Sequence, residues 1–159
     1  MKLSTRSLYG MRALVELALL SGRGPASATH IANRQALSVP YLEQLLHRLR
    51  KSGLLTSVRG PRGGYALARH PSQITMAEVV RVLDGEQSSW ESLARPMRKT
   101  AAHGTASSGR HAQQISVAVG RCVHARLAES LGAVTLEDLC QEAKSLDGEP
   151  LDHRYVFHI

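Results

Sequence analysis

The sequence predicts a mainly α-helical fold carrying one small β-hairpin. Three observations point there. Apolar residues recur at helical spacing through most of the first 85 residues. Two of those helical stretches are short and stand only a few residues apart. The run that follows, VRGPRGGYALARHP from Val58 to Pro71, puts glycine and arginine before a short apolar stretch, a composition suited to a hairpin tip. With 43% hydrophobic residues the chain can bury a core, and 159 residues fit one domain or one domain with an appendage.

The elements follow in order. Between Thr5 and Leu20 the residues Leu8, Tyr9, Met11, Leu14, Val15, Ala18 and Leu19 form the first helical pattern; Ser4 or Thr5 can cap it, and GRGP at 22–25 ends it. The run SATHIANRQALSVPYLEQLLHRLRKSGLL then divides in two. One helix, roughly Ser27 to Arg34, buries Ala28, Ile31 and Ala32. A short turn around Gln35–Val39 follows, with Ser38 as a natural N-cap and Pro40 at an early helical position. The second helix, Pro40 to Lys51, buries Leu42, Leu45, Leu46 and Leu49 and stops at Gly53. Leu54–Val58 and Tyr65–Ala68 read as two strands around RGPRGG. From Thr75 to Leu83 a helix buries Met76, Val79, Val80 and Leu83 before Asp84-Gly85 stops it.

Two short helices joined by a tight turn, the second basic at its end, make the helix-turn-helix pattern, and a hairpin directly after it is a wing. Residues 1–85 are therefore expected to form a winged helix-turn-helix domain. Residues 86–110 are poor in large apolar side chains and rich in Ala, Ser, Gly and Arg, which predicts a flexible loop. Loops of that length inside compact proteins are usually functional or disordered. Residues 111–146 carry a helix from about Ala112 to Leu131 and a short one, LEDLCQEAKS, capped by Thr135. The tail, 147–159, holds Tyr155, Val156, Phe157 and Ile159 and is apolar enough to dock.

Charge narrows the function. Residues 1–70 hold eleven Lys/Arg against two acids, Glu16 and Glu43, a net +9; residues 71–159 hold nine against eleven, a net −2. A basic half joined to a mildly acidic half suggests a polyanion-binding module with a second job behind it. No apolar run approaches the ~20 residues of a membrane helix, and the start MKLSTRS has no h-region or cleavage site behind it. A cytoplasmic protein is expected. Cys122 and Cys140, the only cysteines, form no CxxC and no disulfide framework. No GxSxG or HExxH spacing occurs, so the chain does not read as an enzyme.

The helix after the turn offers Ser38, Pro40, Tyr41, Glu43, Gln44, His47 and Arg48 on the side away from the leucines. A glutamate beside DNA is repelled by phosphate but can accept a hydrogen bond from the cytosine amino group in the major groove. Glu43 suits that, or an i,i+4 pair with His47, or the place of an acid near the helix start. Gln44 can read adenine or stand as a solvated surface residue, while Ser38 and Tyr41 suit phosphates better than bases. Arg50 and Lys51 satisfy the helix dipole with or without a phosphate beside them. Lys2, Ser4 and Thr5, at the first helix N-terminus, are further phosphate candidates. RGPRGG is no nucleotide loop, because GxxxxGK[ST] requires a lysine and hydroxyl that the following PRGGYALA lacks. Its glycines allow a thin tip, from which Arg59 and Arg62 can enter a narrow minor groove.

MKLSTRSLYGMRAL, SVPYLEQLLHRLRKSGLL, SVRGPRGGYALAR and TLEDL together resemble the Rrf2 family of winged-helix transcription regulators. The likeness is close over residues 1–85 and looser over the helices of 112–145. The run YLEQLL…LRK.GL…S.RG..GGY.L is a much more specific signature than any lone glycine motif. The resemblance implies a homodimer in which a long helix of each chain crosses its partner's. Recognition helices and wings then face adjacent grooves of a palindromic operator, with a base-reading glutamate at Glu43. Many family members carry an iron–sulfur cluster on three cysteines in the loop before the long helix; others have none and are controlled by a partner protein or by thiol chemistry.

Residues 85–110 contain no cysteine, so those ligands do not carry over. Cys122 and Cys140 are too few for a cluster without other ligands, and His103 and His111 would need outside help to hold iron. No cofactor is expected. Both cysteines read as buried small apolar residues, with a redox role left open for Cys122 near a dimer interface. The expected function is a dimeric, sequence-specific DNA-binding regulator, a repressor by preference. The competing reading is a protein-interaction or sensor module, partner-controlled or redox-sensing, with weak or no operator binding.

Overall fold

The computed structural model describes residues 3–85 and 106–146, without the side chains of 106–113, 116 and 117. Lys2, His103, most of the expected 86–110 loop and the 147–159 tail lie outside the described residues, as does the side chain of His111. The elements are α1 (Thr5–Leu20), α2 (Ala28–Gln35), α3 (Val39–Lys51), β1 (Leu55–Val58), β2 (Gly64–Leu67), α4 (Met76–Asp84), α5 (Ala106–Ala133) and α6 (Leu136–Ser145). A winged helix-turn-helix of four helices and an antiparallel hairpin is thus joined to a long helix and a short one.

One apolar core serves α1 to α4, β1 and α6. Leu14, Ile31, Leu42, Leu45, Leu46, Leu49, Leu54, Val79, Val80, Leu83 and Leu136 are all among its fully buried members. Fully burying one such side chain contributes about 1.5–3 kcal/mol, against about 1 kcal/mol for a capping hydrogen bond. The four leucines of α3 therefore outweigh its caps. That matters at Ser38, which occupies the N-cap position but makes no side-chain capping bond. Pro40 stands at the second helical position and has no N–H, so one of the two donors a cap can serve is missing. Ser4, Ser27, Thr75 and Thr135 do cap their helices, Thr135 in a reciprocal box with Asp138.

The hairpin pairs Leu55 with Leu67 through to Val58 with Gly64. It is anchored by a third segment that the sequence does not announce. Ala26 and Tyr65 exchange two backbone hydrogen bonds, at 3.0 and 2.8 Å, so the residues before α2 form a one-residue strand beside β2. This close approach requires a glycine at 64, where a Cβ would stand 2.3 Å from the Ala26 carbonyl oxygen. A second isolated bridge, Thr75 to Thr135, ties the start of α6 to the start of α4 through Met76 N–H to Val134 O (2.9 Å) and Leu136 N–H to Ile74 O (2.8 Å).

Two expectations need correction. The long helix begins at Ala106, inside the stretch expected to be loop, and runs to Ala133. Ala and Ser dominate its first turns and no proline interrupts it, so nothing there forbids helix although little apolar surface announces one. The cysteines also divide: Cys140 is buried, but Cys122 is exposed on α5. Spacing alone could not separate them, because Cys140 faces the core that α6 joins while Cys122 points away from it.

Candidate nucleic-acid interface

α3 sorts its side chains cleanly. Leu42, Leu45, Leu46 and Leu49 are buried; Ser38, Pro40, Glu43, Gln44, His47, Arg48, Arg50 and Lys51 are exposed. Tyr41 departs from the expected outward set. It is half-buried, its ring packed edge-on against Tyr9 at 6.1 Å between centroids and 88° between planes. Among the described residues, the side chains of Glu43, Gln44, His47 and Lys51 form no hydrogen bond or ion pair. They are open donors and acceptors on one face of a rigid helix, the arrangement base-edge readout needs.

Two basic residues of α3 are partly committed to the fold. Arg48 Nη1 donates to the Leu83 carbonyl at the end of α4 (3.2 Å), and Arg50 Nη1 reaches Ser57 Oγ on β1 at 3.4 Å. The second contact, with Leu54 N–H on the Leu49 carbonyl (3.0 Å), seats the base of the wing against the end of α3. Ser4 is also engaged: its hydroxyl accepts from the Ser7 N–H (3.0 Å) and donates to the Asp84 carboxylate, so it caps α1 and ties it to α4. That leaves backbone groups, not the Ser4 side chain, at this end of the helix for an anion.

The wing tip is Gly60-Pro61-Arg62-Gly63, closed by Gly63 N–H on the Gly60 carbonyl at 2.8 Å. Gly60 lies at φ +120°, and a Cβ at 63 would stand 2.3 Å from the Val58 carbonyl oxygen. Only glycine keeps the tip this narrow. Arg59 precedes it and Arg62 lies within it, both exposed, and among the described residues neither forms a hydrogen bond or ion pair. With one acid against eleven bases outside the buried Glu16, the first 70 residues present a positive surface around these groups.

Sequence reasoning missed a polar cluster behind this face. Glu16 is only 5% exposed, pairs with Arg34, and accepts from Gln35 Nε2 at 2.9 Å. Arg12 donates from Nε to Gln35 Oε1 (3.0 Å) and from Nη2 to the Gln35 carbonyl (2.6 Å). The signal was present as an acid interrupting an apolar run, but its partners lie in another helix.

On α5, Ile115, Val119 and Val123 are 50%, 56% and 42% exposed. Their i, i+4, i+8 spacing makes one apolar stripe, with Cys122 exposed beside it, while Leu127, Ala128 and Leu131 pack against the core. Burial raises the Cys140 thiol above its ordinary pKa, the main cause being desolvation, so it is a poor thiolate.

This architecture agrees with the comparisons. Residues 3–142 match the model of Rrf2, described as an iron-dependent transcriptional regulator. The chain is a member of the Rrf2 family. It is 37% identical over 161 residues to the HTH-type transcriptional regulator CymR of Bacillus subtilis, covering all of both chains. To IscR of Xenorhabdus nematophila it is 35% identical over 147 residues, covering 92% of this chain and 84% of the relative. Among solved structures it is similar to CymR, the global cysteine regulator of B. subtilis, with a TM-score of 0.64 at 33% identity over 89% of this chain and 98% of that one. T. potens IscR superposes with a TM-score of 0.63 at 32% identity, covering 98% and 96%. As an Rrf2 protein the chain is a helix-turn-helix transcription regulator and not an enzyme. The donor set does not fit a cluster held by cysteine alone: two thiols, eighteen positions apart on different helices and one of them buried, are fewer than the four such a cluster uses. Among the described residues no group of three or more His, Cys, Asp or Glu converges, and no helix is long and apolar enough to cross a membrane.

Proposed function

We propose that this Rrf2 protein binds a palindromic operator as a homodimer and represses by occupying it. Each α3 enters a major groove, where Glu43 accepts from a cytosine amino group and Gln44 reads the neighbouring base. Lys51, Arg50 and His47 hold phosphates along the groove, and Ser38 and Tyr41 do so at the helix start. Arg59 and Arg62 bring the wing tip into the adjacent minor groove. The observation that carries this reading is the open polar face of α3 seated beside an unpaired arginine tip. The apolar stripe of α5 supports dimerisation, since a second copy can bury Ile115, Val119 and Val123 against its own.

Regulation in this reading uses no cysteine-ligated cluster. Two other routes suit the chain: a regulatory protein partner, or oxidation of Cys122, whose thiol is exposed on α5. Selection of bound fragments from genomic DNA, with and without reductant, tests the proposal. The expected sites are two-fold symmetric, with half-sites one or two helical turns apart. Glu43→Ala should relax base preference more than total affinity. Recovered fragments with no shared sequence, or a uniform loss over all sequences, would count against it.

A further inference from the structure

The turn of the helix-turn-helix rests on a strained residue. Ala36, between α2 and α3, lies at φ +53°, the only non-glycine residue with positive φ among the described residues. Such a conformation persists where its surroundings over-determine it. Here they do so from α1. Gln35, the last residue of α2, is held at three atoms: its carbonyl and Oε1 accept from the two arms of Arg12, and its Nε2 donates to the buried Glu16. Glu16 in turn holds Arg34. The same Arg12 guanidinium lies 5.2 Å over the Tyr9 ring, and Tyr9 meets Tyr41 in the first turn of α3. Arg12 therefore grips both sides of the turn, α2 through Gln35 and α3 through Tyr9.

We infer that Arg12 is a positioning residue for base recognition, fixing the orientation of α3 through Gln35 and Tyr9. Its Nε and one Nη2 hydrogen are both taken by Gln35, so two of its five N–H donors serve the fold. A planar fork is what the task needs, because two parallel donors fix an angle that one ammonium cannot. The polar cluster is a tilt-setting clamp, and the bases that Glu43 and Gln44 reach depend on that tilt. The inference rests on the proposal that α3 reads bases.

The test uses the full chain, a fluorescent duplex carrying the selected operator, and a shuffled duplex of equal length and composition. Arg12→Lys keeps the charge and removes the fork. Below the melting temperatures of both proteins it should lower operator affinity about tenfold, the scale of coupling between neighbouring groups. Affinity for the shuffled duplex should stay within about twofold, since the charge is kept. Discrimination at the base facing Glu43 should narrow. A drop in melting temperature with an unchanged operator-to-shuffled ratio would make Arg12 merely structural and overturn the inference; so would equal loss on both duplexes. Should Arg12→Lys not fold, Gln35→Met decides by the same ratio. A wild-type protein with no preference for the operator removes the base-reading proposal itself, and the clamp with it.

Discussion

α3 and α5 solve the same problem in opposite ways. Both are amphipathic, but α3 buries all four of its leucines within its own chain and turns a polar face outward. Among its described side chains, α5 packs Leu127, Ala128 and Leu131 against the core and leaves Ile115, Val119 and Val123 exposed. An apolar stripe that the described residues leave uncovered gains free energy when another surface covers it. α3 thus finds its apolar partners within the described residues, whereas the stripe of α5 is completed by a second copy only in the proposed dimer. In the proposed function the difference separates DNA contact, assigned to side chains already in place, from the pairing of two such surfaces.

Four substitutions put that contrast under strain. Leu46→Ala, in the fully buried face of α3, should destabilise the fold by about 2–5 kcal/mol, read from urea unfolding; a loss below 1 kcal/mol would mean that α3 is less anchored than its burial implies. Arg59→Ala should weaken operator binding by about 1–3 kcal/mol while the unfolding midpoint stays put. Unchanged affinity would make the wing idle. Val119→Glu should convert the proposed dimer to monomer in sedimentation equilibrium, yet shift monomer stability by no more than about 0.5 kcal/mol, as for other surface changes; a dimer that survives would place the interface elsewhere. The smallest effect concerns Asp138, whose carboxyl is held below its ordinary pKa by the Thr135 hydroxyl and then by the Thr135 N–H. A lowered native pKa contributes stability that is fully present above the unfolded value of about 3.9. It is lost as pH falls through the lower native value. Asp138→Asn should therefore lower the melting temperature at neutral pH, and the gap to wild type should close only in acid below that range.

Much of the domain was legible in the residues. α1, α2, α3 and α4 lie within a residue or two of their expected bounds, because each carries its own apolar period and a nearby cap or breaker. The outward set on α3 follows from the leucines alone, with Tyr41 as the exception: an aromatic body that Tyr9 half covers. The early start of α5 escaped because Ala and Ser permit a helix without signalling one. The cluster of Arg12, Glu16, Arg34 and Gln35 escaped for another reason: its members are partners only once α1 and α2 are placed side by side.

Local sequence determined the helix-turn-helix, the glycine-thin wing and the basic half, since periodicity, caps and turn residues act within a few positions. Tertiary structure alone decided the Ala26–Tyr65 strand, the Thr75–Thr135 bridge, the clamp on the turn and the exposure of Cys122. Each of these depends on which distant segment packs against which. Burial and hydrogen bonding reward that packing only once the chain has folded.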